Sequence, residues 1–395
     1  MSSSLSAHDM HGEQHALDIG APAQVNPPFG GYAISPLTRW WRSVAPLALE
    51  LGGALPHYTL AYRTWGRLAP RGDNAVIVCH ALTGTADADD WWSALFGPGK
   101  ALDPARDFIV CSNVLGGCYG STGPASADVA PELRGARFPE LTIRDQVRAQ
   151  MALADALGVR RIRLVIGGSM GGLQTLEWAL LDGERVDAIA VVAASARHSA
   201  WCLAWCEIQR LALRADPRFL EGHYTADAMP LAGLGTARAI AMATYRSPLA
   251  LEDRFGRNST AAVYGTGATA SDDFAVRAWV RHHAENFVRR FDANAYLRLL
   301  GAMDHHDVGA GRGGVAAALA RVAQPALVVS ISSDLLYLPL EQEMLADALP
   351  NARLLVVPSV RGHDGFLIDA DRLEPAVRTF RGLEAVGATG VRHVS

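Results

Sequence analysis

One serine, one histidine and two aspartates have the types and order that acyl transfer through a covalent intermediate requires. Ser169 lies in Gly167-Gly168-Ser169-Met170-Gly171-Gly172. A serine hydroxyl is a weak nucleophile until a base takes its proton, and the base needs a carboxylate to orient it. His363, in Arg361-Gly362-His363-Asp364-Gly365, is the candidate base. Asp334 is the candidate carboxylate, because it follows the apolar run Ala326-Leu327-Val328-Val329-Ser330-Ile331 almost directly. Asp364 is a second carboxylate close to the base. The oxyanion that forms on attack needs two amide donors. Met170, just after the nucleophile, supplies one, and Leu82 in His80-Ala81-Leu82-Thr83-Gly84 is the best second.

These residues need elements that bring them together. The run Ile162 to Ile166 reads as a buried strand that breaks at Gly167, and helix-compatible sequence follows at once. Gly-x-Ser-x-Gly between a strand and a helix is the nucleophile elbow of α/β-hydrolases, in which the carboxylate and histidine follow the serine in chain order. The elbow is so sharp that side chains two residues to either side of the serine would collide. Further strand-like runs are Asn74 to Cys79, Phe108 to Ser112, Ala188 to Ala193, Ala326 to Ile331 and Arg353 to Val357. Helical patterning separates them, notably over Ile143 to Leu157 and Met170 to Leu181. Parallel strands joined by crossover helices follow, an α/β fold with a mostly parallel sheet. From about 197 to 321 the strand signal fades and Arg- and Ala-rich helices take over, the pattern of an inserted lid above the strand C-terminal ends. The expected division is a polar extension over 1–30, a first core part over 31–196, a helical lid over 197–321 and a second core part over 322–395.

Bulk properties exclude several functions. The chain has 395 residues, half of them apolar and 19% charged, with 36 basic and 40 acidic side chains. Near-neutral charge argues against a nucleic-acid partner. The apolar runs are of strand length, short of a membrane span. The N-terminus lacks the basic-then-apolar pattern of a secretion signal. Five cysteines without zinc-ligand spacing read as reduced thiols of a cytoplasmic protein. His305-His306, flanked by Asp304 and Asp307, looks like a metal cluster, but consecutive residues cannot all face one ion, so packing or surface roles are expected and no metal. The loop Asn113 to Pro124 lacks the Gly-Lys-Ser/Thr ending of a phosphate loop and is expected to wall the acyl pocket.

Taken together, the chain resembles the homoserine O-acyltransferases of the α/β-hydrolase superfamily. The resemblance runs from about Gly52 to Phe380, through His80 to Gly84, Asn113 to Pro124, Phe138-Pro139-Glu140-Leu141-Thr142, the elbow with Glu177-Trp178-Ala179, Ser333-Asp334, and Gly362 to Leu367. It implies Ser169, Asp334 and His363 as the triad. It also implies an acceptor site in the lid, with Arg238 on the amino acid's carboxylate, Tyr245 seven residues on, and Asp364 on the ammonium. Acetyl-CoA as co-substrate, no permanently bound cofactor, and a homodimer through the lid belong to the same implication. Apolar surface on the stretch Trp201 to Arg214, from Trp201, Trp205, Leu211 and Leu213, would form the dimer contact. Alternatives within the resemblance are succinyl-CoA as donor and serine as acceptor, and beyond it an esterase or thioesterase of the same fold. Thr85-Ala86-Asp87 and Tyr119 depart from the family pattern.

Overall fold

A computed structural model describes residues 34–265 and 273–383 and the backbone of 391–393. The expected extension over 1–30 lies outside the described residues. Strands β1 (Arg39–Ser43), β4 (Tyr58–Trp65), β5 (Ala75–Cys79), β6 (Phe108–Ser112), β7 (Ile162–Gly168), β8 (Ile189–Val192), β9 (Ala326–Ile331), β10 (Ala352–Val357) and β11 (Val391–His393) form one sheet. The short β2 (Leu47–Ala48) and β3 (Ala54–Leu55) pair separately. The order across the large sheet is β1-β4-β6-β5-β7-β8-β9-β10-β11. Its centre, from β6 to β10, is parallel, and β1, β4 and β11 join antiparallel at the edges. The central strands β5, β6 and β9 are buried at every residue. Continuous apolar sequence is what strands covered on both faces require.

Helices supply that cover. α1 (Ala88–Trp91), α2 (Ile143–Ala156) and α3 (Met170–Leu181) follow β5, β6 and β7 in turn. Thr142 starts α2 with a capping box. Its hydroxyl accepts from the Asp145 amide while the Asp145 carboxylate accepts from the Thr142 amide. Between the neighbouring parallel strands β8 and β9 the described residues include seven α-helices: α4 (Ala200–Arg214), α5 (Leu231–Tyr245), α6 (Pro248–Phe255), α7 (Thr260–Tyr264), α8 (Ala275–Val288), α9 (Ala293–Asp304) and α10 (Val315–Leu319). α11 (Pro339–Ala348), α12 (Gly365–Ile368) and α13 (Ala370–Phe380) complete the fold.

The fully buried Glu177 on α3 ties this helical block to the core. Its carboxylate accepts from Arg144 of α2 at 3.1 Å and from Arg312, after the block's long helices, at 2.7 and 2.9 Å. Arg144 also donates to the carbonyls of Asp307 and Ala310. A buried carboxylate with two guanidinium partners is fully paired, and removing both would strand its charge.

Candidate active site

The elbow forms where β7 meets α3. Ser169 has φ 57° and ψ −125°, a conformation an L-residue adopts only under constraint. The flanking glycines allow it. A Cβ on Gly167 would stand 2.3 Å from the Gly171 carbonyl oxygen, and one on Gly171 would stand 2.0 Å from that of Cys79. The collision anticipated two residues to either side of the serine is therefore with backbone, which cannot yield.

His363 arrives on the turn after β10, and Asp334 on the turn after β9. His363 Nε2 lies 2.8 Å from Ser169 Oγ, and Nδ1 lies 2.7 Å from Asp334 Oδ2. The other Asp334 oxygen accepts the amides of Leu336 and Tyr337 at 2.8 and 3.0 Å. All three residues are buried. The carboxylate is thus locked in place and the imidazole carries its proton on Nδ1, leaving Nε2 to accept from the serine. Burial alone would lower the His363 pKa. The charge and hydrogen bond of Asp334, with a further push from Asp364, outweigh it and hold the pKa above the usual 6.5. Tyr245, Tyr337 and Phe366 surround the imidazole, with ring centroids 5.3–5.7 Å away.

The segment expected to form the oxyanion hole reaches the nucleophile's cavity. Leu82 and Ser169 line one narrow cavity. The Ala81 carbonyl accepts from His80 Nδ1 at 2.7 Å and from the Gly84 amide at 2.9 Å. Because a trans peptide points its C=O and N–H in opposite directions, this also fixes the direction of the Leu82 N–H. His80 Nε2 accepts the Val114 amide at 3.1 Å, and burial lowers the imidazole pKa to about 4, so the ring stays neutral. Arg290 steadies the same loop from the helical block, donating to the Thr83 carbonyl at 3.1 Å. The Asn113 to Pro124 loop does not wall the cavity that holds Ser169. Leu82 stands between, and the loop lines a second, smaller cavity behind it with His80 and Phe291.

On α5 the seven-residue spacing brings Arg238 and Tyr245 together, the guanidinium carbon 5.6 Å from the Tyr245 ring centroid and 4.9 Å from that of Phe287. Arg238 Nη1 is buried and has no hydrogen-bond partner among the described residues. Asp364 was expected as a partner for a substrate ammonium. Its carboxylate already meets Arg246 Nη2 at 3.1 Å, and burial raises its pKa despite that partner. Arg246 was not singled out in the sequence; its position directly after Tyr245 was the one available signal. Any ammonium bound at Asp364 shares the carboxylate with this guanidinium.

The His-Asp cluster of the sequence separates. His306 is buried and His305 is exposed, its Nδ1 2.9 Å from the Gly301 carbonyl. His198, Cys206 and Asp304 do bring ligand-type atoms within 4.8 Å of one another. Asp304, however, is bonded by His198 at 3.2 Å and by Arg210. Burial, with Asp304 beside it, also holds the Cys206 thiol protonated. A protonated thiol and a carboxylate neutralised by a guanidinium form a hydrogen-bonded network, and a cation would have to displace both partners.

The chain is similar to known proteins over most of its length. A family profile described as the alpha/beta hydrolase fold matches residues 74–370. A curated homoserine O-acetyltransferase of Trichormus variabilis is 50% identical over 349 residues, covering 88% of this chain and 95% of that protein. The crystal structure of homoserine O-acetyltransferase from Staphylococcus aureus superposes with a TM-score of 0.70 at 28% identity, over 89% of this chain and 97% of that one. An acetylester hydrolase from Corynebacterium glutamicum superposes with a TM-score of 0.74 at 25% identity, over 87% and 96%. The sheet, the elbow and the relatedness over most of its length lead to one assignment: the chain belongs to the homoserine O-acetyltransferase family of α/β-hydrolase-fold enzymes.

Proposed function

We propose that the protein transfers the acetyl group of acetyl-CoA to the hydroxyl of L-homoserine by a ping-pong mechanism, giving O-acetyl-L-homoserine and CoA in methionine biosynthesis. The unbroken Asp334–His363–Ser169 hydrogen-bond chain, ending in a cavity shared with Tyr245 of the helical block, carries this reading. His363 takes the Ser169 proton as Oγ attacks the thioester carbonyl. The amides of Leu82 and Met170 stabilise the oxyanion, and His363 returns the proton to the departing CoA thiolate. Homoserine then enters, its hydroxyl oxygen attacks the acetyl-enzyme ester as His363 takes the hydroxyl proton, and the bond from the acyl carbon to Ser169 Oγ breaks as His363 returns that proton to Oγ, releasing O-acetyl-L-homoserine. In this scheme acetyl-CoA is a co-substrate and no cofactor stays bound. Among the described residues no helix is long and apolar enough to cross a membrane, and a biosynthetic role suits the cytoplasm.

Arg238 takes the acceptor's carboxylate, which supplies a partner for its unpaired Nη1. Arg238→Ala is therefore expected to spoil the second half-reaction selectively. Loss of a buried charge-assisted partner costs roughly 2–5 kcal/mol, so kcat/KM for homoserine falls about two orders of magnitude or more, far beyond any change in the CoA burst. Rapid-quench measurement of both half-reactions checks this. A lost burst with unchanged acceptor affinity assigns the residue to the donor, and with it the acetyl reading falls. A panel crossing acetyl-CoA and succinyl-CoA with homoserine and serine, read by mass spectrometry, settles donor and acceptor.

A symmetric dimer through α4 belongs to the same proposal, with a corrected contact face. Leu213 is fully buried and Trp205 turns toward the cavity, whereas Trp201, Leu203, Ile208 and Leu211 are exposed. So many large apolar side chains on one helix suit a partner. Leu211→Glu is expected to shift the protein from dimer to monomer in sedimentation velocity at micromolar concentration. A wild-type monomer under those conditions refutes the dimer.

A further inference from the structure

Most polar atoms around the Ser169 cavity have partners. Gln209 donates to the Trp205 carbonyl at 2.9 Å and accepts from the Tyr296 hydroxyl, Thr244 Oγ1 donates to the Ala241 carbonyl at 2.8 Å, and His198 is bonded to Asp304. Two residues of the lining stand apart: Trp205 and Tyr337 carry an indole N–H and a hydroxyl that are buried with no hydrogen-bond partner among the described residues. Trp40, far from this cavity, shares that state, but the tryptophans nearer the site find a partner. Trp92 donates to the Phe366 carbonyl at 3.0 Å, Trp178 to Gln150 at 2.8 Å, and Trp201, one turn before Trp205, to the Leu335 carbonyl at 2.6 Å. Buried polar groups are rarely left unpaired in native proteins, and an exception beside a nucleophile calls for a ligand.

The chemistry of the two groups narrows that ligand. An indole N–H donates only, and a tyrosine hydroxyl also has a proton to give. The site therefore suits oxygen acceptors and is a poor match for an ammonium. Under the proposed function, on which this inference rests, the acyl carbonyl has the Leu82 and Met170 amides, the acceptor's hydroxyl has His363, and its ammonium has Asp364. The acceptor's carboxylate remains. Arg238 supplies the charge for it from α5, the helix that also brings Tyr245 to the cavity. We propose that Trp205 and Tyr337 are acceptor-recognition residues, donating from α4 and from the turn after β9 to the carboxylate oxygens of the amino-acid acceptor beside Arg238.

Tyr337→Phe tests this by removing one oxygen atom that no internal group uses. If the hydroxyl serves the ligand, thermal stability is unchanged or slightly raised, while kcat/KM for homoserine falls about tenfold to a hundredfold, the loss of a hydrogen bond to a charged group. With 3-aminopropan-1-ol, which is homoserine without its carboxylate, the ratio of wild type to variant should approach one. Trp205→Phe should show the same dependence on the acceptor's carboxylate. Three results overturn the inference: equal loss with both acceptors, a loss confined to the CoA burst, or a variant kinetically identical to wild type. If wild-type protein transfers no acetyl group to homoserine in this assay, the proposed function itself has failed, which is a distinct outcome.

Discussion

Replacing Ser169 with alanine is expected to cut turnover on the order of 10^4-fold or more, the scale on which a covalent nucleophile is lost. The variant keeps the fold. Alanine meets the same constraint at φ 57° that serine already meets, and no glycine of the elbow is touched. What disappears is the oxygen 2.8 Å from His363 Nε2. Neither CoA release from acetyl-CoA nor an acetyl-enzyme adduct in intact mass spectra should be detectable above a fraction of a per cent of wild type. Retention of more than a few per cent activity in a clean preparation would remove Ser169 from the mechanism.

Asp334→Asn should cost nearly as much, about 10^4-fold in turnover. The side chain keeps its shape, but its amide nitrogen offers a donor where His363 Nδ1–H needs an acceptor, so the imidazole turns to the wrong tautomer. The pH profile should move as well. With His363 as the proposed base, wild-type turnover is expected to rise with pH through the His363 pKa, with the acid limb above the usual 6.5 because Asp334 raises that pKa. Without the Asp334 charge the pKa drops and the residual activity's acid limb moves to lower pH, on a much lower plateau. Asp364→Asn is the contrast, because Asp364 adds only a lesser push to His363 and has Arg246 as its own partner. If Asp364→Asn gives the larger loss in the CoA burst, the roles of the two carboxylates are reversed.

The sequence was most legible where geometry leaves one solution. Gly167 and Gly171 mark a turn that no side chain can enter, and the continuous apolar runs of β5, β6 and β9 admit burial on both faces. Helix ends were less legible. Within the Arg- and Ala-rich block, α5 starts at Leu231 directly after Pro230 and α8 runs over Ala275–Val288, bounds that the composition does not mark. The edge strands β1 and β4 went unread, since their pairing depends on a neighbour far along the chain. In the site, what escaped was what depends on contact. Nothing in the spacing announces that Arg246 shares Asp364, that His80 holds the Ala81 carbonyl, or that Trp205 turns inward while Trp201 stays half-exposed.

Transfer and hydrolysis begin with the same acetyl-enzyme and diverge in what attacks it. Transfer prevails only if the helical block holds the acceptor hydroxyl against the ester and keeps water out, an advantage worth several kcal/mol. The most direct test is steady-state CoA release from acetyl-CoA, measured with and without saturating homoserine, with the acylated products identified by mass spectrometry. The account expects a single burst of CoA without homoserine, and on its addition rapid turnover yielding O-acetylhomoserine. Equal CoA release in both conditions, with acetate as the product, would contradict it and make the protein a hydrolase.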